Sequence, residues 1–293
     1  MAETDGGMII RLGYDLGFDV VGQVPMTAIL AVHPSRRQDL LEPDRLVITP
    51  EVPVDRYTDL FGNCCYRFVA PGGPVRLSSR TLIEDSGNLD AYAPDAPEVP
   101  VGELPREVLR YLLGSRYCEV DLLTQPAADL FGGLPRGWSR VEAVCRWVHD
   151  HVRFGYEFAD ATRTAHGVFT GGVGVCRDFQ HLAIAFCRSL NIPARYVTGY
   201  LGDIGVPMAP YPMDFSAWFE AYLGDRWWTF DARHNRRRIG RIVIARGLDA
   251  TDVAITTSFG ETRLTHFHVV TDEVRADDAN ALDVHALARR AAR

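Results

Sequence analysis

An α+β fold is predicted by three observations on this chain. Short β-rich runs divided by turn residues fill the stretch from about Met8 to Thr81, strongly periodic helical segments occupy the middle, and a second series of strands runs from Ala194 to Thr271. The composition, 293 residues with 47% hydrophobic and 24% charged, is that of an ordinary globular protein able to bury a sizeable core and to divide into lobes.

The early runs, Thr27 to Val32, Arg45 to Val52, Cys64 to Ala70 and Val75 to Ile83, read as an antiparallel β lobe. Asp85 to Glu103 is rich in Pro, Asp, Gly and Ala and reads as a linker. Helical patterns follow at Leu104 to Gly114 and Ser139 to His151, where Ser139 and Glu142 have the spacing of a capping box. A third helix begins at Cys176. Its apolar residues Phe179, Leu182, Ala183, Phe186 and Leu190 recur at the spacing of one helical face, and Asn191-Ile192-Pro193 ends it. Strands are expected at Ala194–Tyr200, Phe215–Leu223, Arg226–Asp231, Ile239–Ala245, Val253–Ser258 and Thr262–Thr271. The domain reading is therefore a β-rich lobe over 1–90, a linker with helices over 91–135, a core over 136–274 and a surface tail over 275–293.

Charge narrows the function. A formal net charge of −7 argues against nucleic acid or an anionic membrane as the main partner. The cluster Arg236-Arg237-Arg238 with Arg241 reads as a solvated surface, with an anion or carboxylate contact as the other option. All 31 Lys+Arg residues are arginine, so the chain has no lysine amine to offer in any amide-forming reaction. No secretory leader pattern and no apolar run of about 18 residues occurs, from which a cytoplasmic setting is expected.

Six cysteines are scattered with no C-x-x-C pair. Cys64, Cys65, Cys145 and Cys187 fit apolar patterns and read as small buried hydrophobes. Cys176 differs because a glycine-rich turn becomes a helix there. Unpaired N–H groups and the positive end of the helix dipole favour a thiolate, the form that attacks carbonyls. Gly171, Gly172 and Gly174 shape this entry and free N–H groups for an oxyanion. Asp178 complements the charge of the helix start.

Gly224-Asp225 marks a two-residue hairpin turn. Pairing outward from it sets Tyr222 opposite Trp227, Glu220 opposite Thr229, Trp218 opposite Asp231 and Ser216 opposite Arg233. Ser216, Trp218, Glu220, Thr229 and Asp231 then share a face.

Gly-Val-Cys-Arg-Asp-Phe, Asn-Ile-Pro-Ala-Arg-Tyr-Val-Thr-Gly-Tyr, Ala-Trp-Phe-Glu-Ala-Tyr-Leu and Arg-Trp-Trp-Thr-Phe-Asp-Ala-Arg-His-Asn follow one another between Ser139 and Asn235. Together they resemble the bacterial transglutaminase-like superfamily, and the β-rich segment is similar to the region that precedes such domains in bacteria. The resemblance implies a papain-like core with a central helix on an antiparallel sheet, and Cys-His-Asp acyl transfer on amides or thioesters. Cys176 matches the nucleophile and Asp231 the orienting carboxylate. The family histidine precedes the Ala-Trp pair, and here that position is Ser216, which cannot act as a base near neutral pH.

Three readings stay open. His234 supplies the imidazole, although strict alternation puts it opposite Ser216 and Asp231 unless a bulge or strand end at Asp231 reverses the parity. Alternatively Cys176 acts without an imidazole on a reactive substrate such as a thioester. In the third reading the fold is a non-catalytic binding module. His181 is read as a histidine bonding a neighbour. Trp218 and Gly174 are candidate substrate contacts. His149-Asp150-His151 and His266-Phe267-His268 have metal-capable spacing but no third ligand, and no phosphate or calcium loop occurs, so no metal or cofactor is expected. The expected partner is a peptide, a protein, or a small amide or thioester.

Overall fold

The structure is a computed structural model and describes residues 7–274. The expected tail over 275–293 lies outside the described residues. The amino-terminal lobe is built on β1 (Met8–Val20), β2 (Val24–Ala28), β3 (Val47–Thr49), β4 (Val54–Thr58), β5 (Cys64–Ala70) and β6 (Gly73–Asp85). Strict alternation along β1 buries Ile10, Leu12, Leu16 and Phe18 on one side, as a sheet with one packed face requires.

Four helices come next: α1 (Val120–Phe131), α2 (Trp138–His151), α3 (Ala165–Gly171) and α4 (Cys176–Ser189). Two short parallel strands, β7 (Arg153–Phe154) and β8 (Val173–Gly174), lead into α4. The α1 segment, with Pro126 inside it, was not expected as a helix. Leu104 to Gly114 forms a 3-10 helix over Arg106–Leu112 instead of an α-helix. The capping box at Ser139 is not formed, since α2 starts one residue earlier from Gly137, whose φ of 91° suits glycine.

Helix α4 carries apolar residues at its core positions and is enclosed almost all round, with Phe179, Leu182, Ala183 and Phe186 at 2% exposure or less. The other three helices surround it, and it lies on a sheet of order β11-β10-β9-β12. These strands are β9 (Ala194–Leu201), β10 (Ser216–Leu223), β11 (Arg226–Phe230) and β12 (Arg241–Gly247). The β10/β11 hairpin turns at Gly224, φ 64°, with Tyr222 opposite Trp227 and Glu220 opposite Thr229.

Pairing of that hairpin stops at Phe219 opposite Phe230, so the two outer pairs expected from the sequence do not form. Beyond Phe230 the backbone turns, with Asn235 N–H donating to the Asp231 carbonyl (2.8 Å).

The chain then returns to the first lobe. β13 (Thr256–Ser258) pairs with β2, and β14 (Thr262–Glu273) pairs with β1 along almost its whole length. Sequence order alone groups these two strands with the 136–274 segment, but their ladders run to the amino-terminal sheets, of order β14-β1-β6-β3 and β13-β2-β5-β4. The helical core is thus inserted between strands of one β lobe. A single apolar core runs through both parts. No helix among the described residues is long and apolar enough to cross a membrane.

Candidate active site

Cys176 is the first residue of α4, preceded by extended Val175. The Asp178 carboxylate accepts a hydrogen bond from Val175 N–H (2.8 Å), which caps the helix as its position suggests. Gly174 makes room for this: a Cβ there would lie 2.6 Å from the Asp178 Cβ. Of the six cysteines, all free, Cys176 alone keeps an accessible surface.

Its acidity differs from the expectation. Burial pushes the thiol up to about 11, Asp214 adds to the rise, and the nearby Arg233 guanidinium and the Arg177 backbone N–H only partly oppose it. The resting group is a neutral thiol, because burial outweighs the end of one helix. Burial likewise pushes Cys118 and Cys187 up to about 12.

Cys176 lies between two cavities. One, about 590 Å³, is walled by Tyr117, Tyr196 and Ser216 from the core and by Thr257 and Phe267 from β13 and β14. The other, about 70 Å³, is lined by Cys176, Asp214, Ser216, Arg233 and His234. The structure therefore gathers Cys176, Ser216 and His234 around one small space, with Asp231 behind them.

His234 reaches that space because the strand ends at Asp231. In the turn that follows, His234 Nδ1 lies 2.8 Å from Asp231 Oδ2, and Asp231 Oδ1 accepts from the N–H groups of Arg233 and His234 (both 3.0 Å). Burial alone would raise the Asp231 carboxyl, but the Arg241 charge and the His234 contacts hold it well below the usual carboxylate range. An ionised Asp231 fixes the proton on Nδ1 and leaves Nε2 as an acceptor. Among the described residues no hydrogen bond joins Cys176 Sγ to an imidazole.

Three residues that the sequence did not connect to this turn hold it. Gln180, one turn after Cys176 on α4 and fully buried, donates to Asp231 Oδ1 and accepts from Ala232 N–H, both at 3.2 Å. Arg241 donates to Asp231 Oδ2 and Asp90 Oδ2, each at 2.9 Å. His149 Nδ1 lies 2.7 Å from the Arg233 carbonyl oxygen. The arginine cluster thus divides: Arg236 and Arg237 are exposed, whereas Arg238 and Arg241 are buried on carboxylate and carbonyl partners rather than solvated. For Arg241 the carboxylate contact was the second option read from the arginine cluster, and for Gln180 the i, i+4 spacing from Cys176 was a signal that could have found it.

Trp218 does not face Cys176. It is 1% exposed, packs between Val197 and Val243 with the Arg241 guanidinium 5.1 Å from its ring, and lines neither cavity beside Cys176. Gly174 lines neither cavity. His181 is fully buried, accepts from Ala250 N–H (3.2 Å) and stacks on Tyr117. His151 Nε2 lies 2.7 Å from the Phe169 carbonyl oxygen, and no group of metal-ligating side chains occurs among the described residues.

A cysteine thus heads a buried central helix, with an antiparallel sheet beneath it and a carboxylate–imidazole pair at the strand end. Residues 125–232 match the Transglutaminase-like superfamily, and the chain belongs to that family. An uncharacterized protein of Mycobacterium leprae is 36% identical over 228 residues, covering 72% of this chain and 77% of that one. The crystal structure described as "a Putative Cysteine Protease from Cytophaga hutchinsonii" superimposes with a TM-score of 0.82 at 29% identity, over 93% of this chain and 92% of that one.

Proposed function

We propose that the chain is a cysteine-dependent acyl-transfer enzyme acting on amides or thioesters, with Cys176 as nucleophile, His234 as base and Asp231 as its orienting carboxylate. The observation that carries this reading is the 2.8 Å Asp231–His234 contact at the cavity that Cys176 also lines. The description of the Cytophaga protein as a cysteine protease supports the same class of chemistry here.

A thiol held near 11 needs a base, so the imidazole-assisted route is favoured over activation by the helix end alone. As Sγ attacks the acyl carbon its proton passes to His234 Nε2, and the carbonyl electron pair moves onto oxygen. The Cys176 N–H at the helix start faces the developing charge. Collapse expels an amine or thiol that takes the proton from Nε2 and leaves a thioester on Cys176. Water or an amine then attacks that thioester, again giving its proton to His234. Asp231 stabilises the imidazolium in both halves. Six free cysteines support a reducing, cytoplasmic setting.

The high resting value of Cys176 and the absence of a sulfur–imidazole hydrogen bond among the described residues favour, as second reading, a binding module in the same cleft. Acylation of Cys176 by an activated thioester, followed by peptide mass spectrometry, separates the two. The enzyme reading expects acylation well above that of a free cysteine amide and a loss of about 10²-fold or more in His234→Ala. Acylation no faster than the free thiol, and indifferent to His234, refutes it.

A further inference from the structure

Among the described residues, Asp214 is the one acidic side chain that lines both cavities flanking Cys176. It sits just before β10, two residues ahead of Ser216, and makes no ion pair within the described residues. Arg177 lines the larger cavity and Arg233 the smaller, and Arg233 acts on the Asp214 carboxyl through space, but the contacts of both cations are made with other groups. Arg177 lies 3.5 Å from the Asp178 carboxylate, donates to the Asp160 carbonyl and covers the Tyr117 ring. Arg233 lies 3.9 Å from the centre of the Phe154 ring. A half-buried carboxylate with no directly paired cation, beside the Cys176 cavities, is an electrostatic demand that a ligand can meet.

We propose that Asp214 forms a cation-binding subsite beside Cys176, so that the acyl donor carries an ammonium or guanidinium close to the reacting carbonyl. The inference rests on the acyl-transfer reading for its substrate but on Asp214 alone for its charge preference. It also has a kinetic corollary. The Asp214 charge helps to keep the Cys176 thiol protonated, and a docked cation cancels that influence. The correct substrate thus removes one obstacle to its own attack, which a neutral substrate leaves in place.

The test needs no turnover. Two methanethiosulfonate reagents of similar size, one bearing trimethylammonium and one bearing sulfonate, are reacted with the full chain at pH 8.5. The thiolate displaces methanesulfinate, leaving one mixed disulfide, and modification of Cys176 is followed by peptide mass spectrometry. Each rate is divided by that of N-acetylcysteine amide under the same conditions. The expected result is a cationic-over-anionic preference of about tenfold at low salt, weakened by 0.5 M NaCl. Asp214→Asn abolishes it and Asp214→Glu retains it. A preference in Asp214→Asn within twofold of the native one, or none in the native chain, overturns the proposal. Should Asp214→Asn fail to fold, the native preference and its salt dependence still decide. A chain that shows the preference but no acylation keeps the subsite and loses the enzyme reading, and the reverse outcome loses only the subsite.

Discussion

Replacing Arg241 by Met isolates what holds the Asp231–His234 pair in place. The arginine side chain is 5% exposed and its partner Asp231 2%, and it bridges Asp231 and Asp90 at 2.9 Å each. Methionine keeps much of the volume beside Trp218 but leaves a buried carboxylate without its cation. Removing one partner of such a pair costs about 3–5 kcal/mol, most of it the penalty of the stranded charge. Urea unfolding at pH 7, followed by tryptophan fluorescence, should show a loss of that size. The pH dependence gives a second reading. In the native protein the folded Asp231 carboxyl lies below its unfolded value of about 3.9, so its stabilisation is present above pH 4 and is lost as pH falls further. Without Arg241 the folded value moves up and that stabilisation shrinks, so the gap between native and variant narrows on acidification. Adding Asp231→Asn to Arg241→Met removes the stranded charge, and the cycle should show coupling of at least about 2 kcal/mol. A single-variant loss below about 1 kcal/mol, or a gap that widens toward pH 4, would refute the reasoning.

Because Ser216 lines both cavities at the position where the family carries histidine, Ser216→His in a His234→Ala background is expected to restore Cys176 acylation at least about tenfold over His234→Ala alone; no recovery would show that the two positions are not interchangeable around the sulfur. Gly174→Ala sets a Cβ 2.6 Å from that of Asp178 and breaks the cap on Val175, and calorimetric melting should register a loss of about 1–3 kcal/mol. Burial, the largest influence on each, holds His33 at about 4 and His181 at about 3, below the roughly 6.5 of an unfolded chain. Folding therefore favours their neutral forms, and the stability they supply is present above pH 6.5 and lost as pH falls toward 4. By pH 5 each removes roughly 2 kcal/mol, so a urea midpoint unchanged between pH 7 and pH 5 would contradict these assignments.

Local pattern carried most of the fold. The α4 periodicity, the β10/β11 turn and the extents of β5, β9 and β14 were readable because each is set by neighbours a few residues away. The α1 helix was not, since Pro126 and a polar face blur its period. Nor was the partner of β14, because an alternating strand specifies a buried face and not which strand lies beside it. At the candidate site, the place of Cys176 at a helix start was legible from local pattern, whereas Asp231 was singled out by the family resemblance. His234 hinged on where the ladder stops, a tertiary fact that reverses the parity of the chain. Gln180, Arg241 and His149 reach the turn from three separate elements, and only packing brings them together. The expected thiolate failed because a helix end is visible in sequence and the dielectric around it is not.

The insertion of the helical core within the β lobe has a consequence for assembly of the protein on the ribosome. Cys176, Asp231 and His234 all precede residue 235, so the chemical groups are made and able to pack while the chain is still growing. The wall opposite them is not, because Thr257 and Phe267 lie on β13 and β14, which must travel back to β2 and β1. Closing so long a loop costs less once the intervening core has already drawn its ends together. A nascent chain that lacks β13 and β14 therefore holds Cys176 without one wall of the cavity beside it.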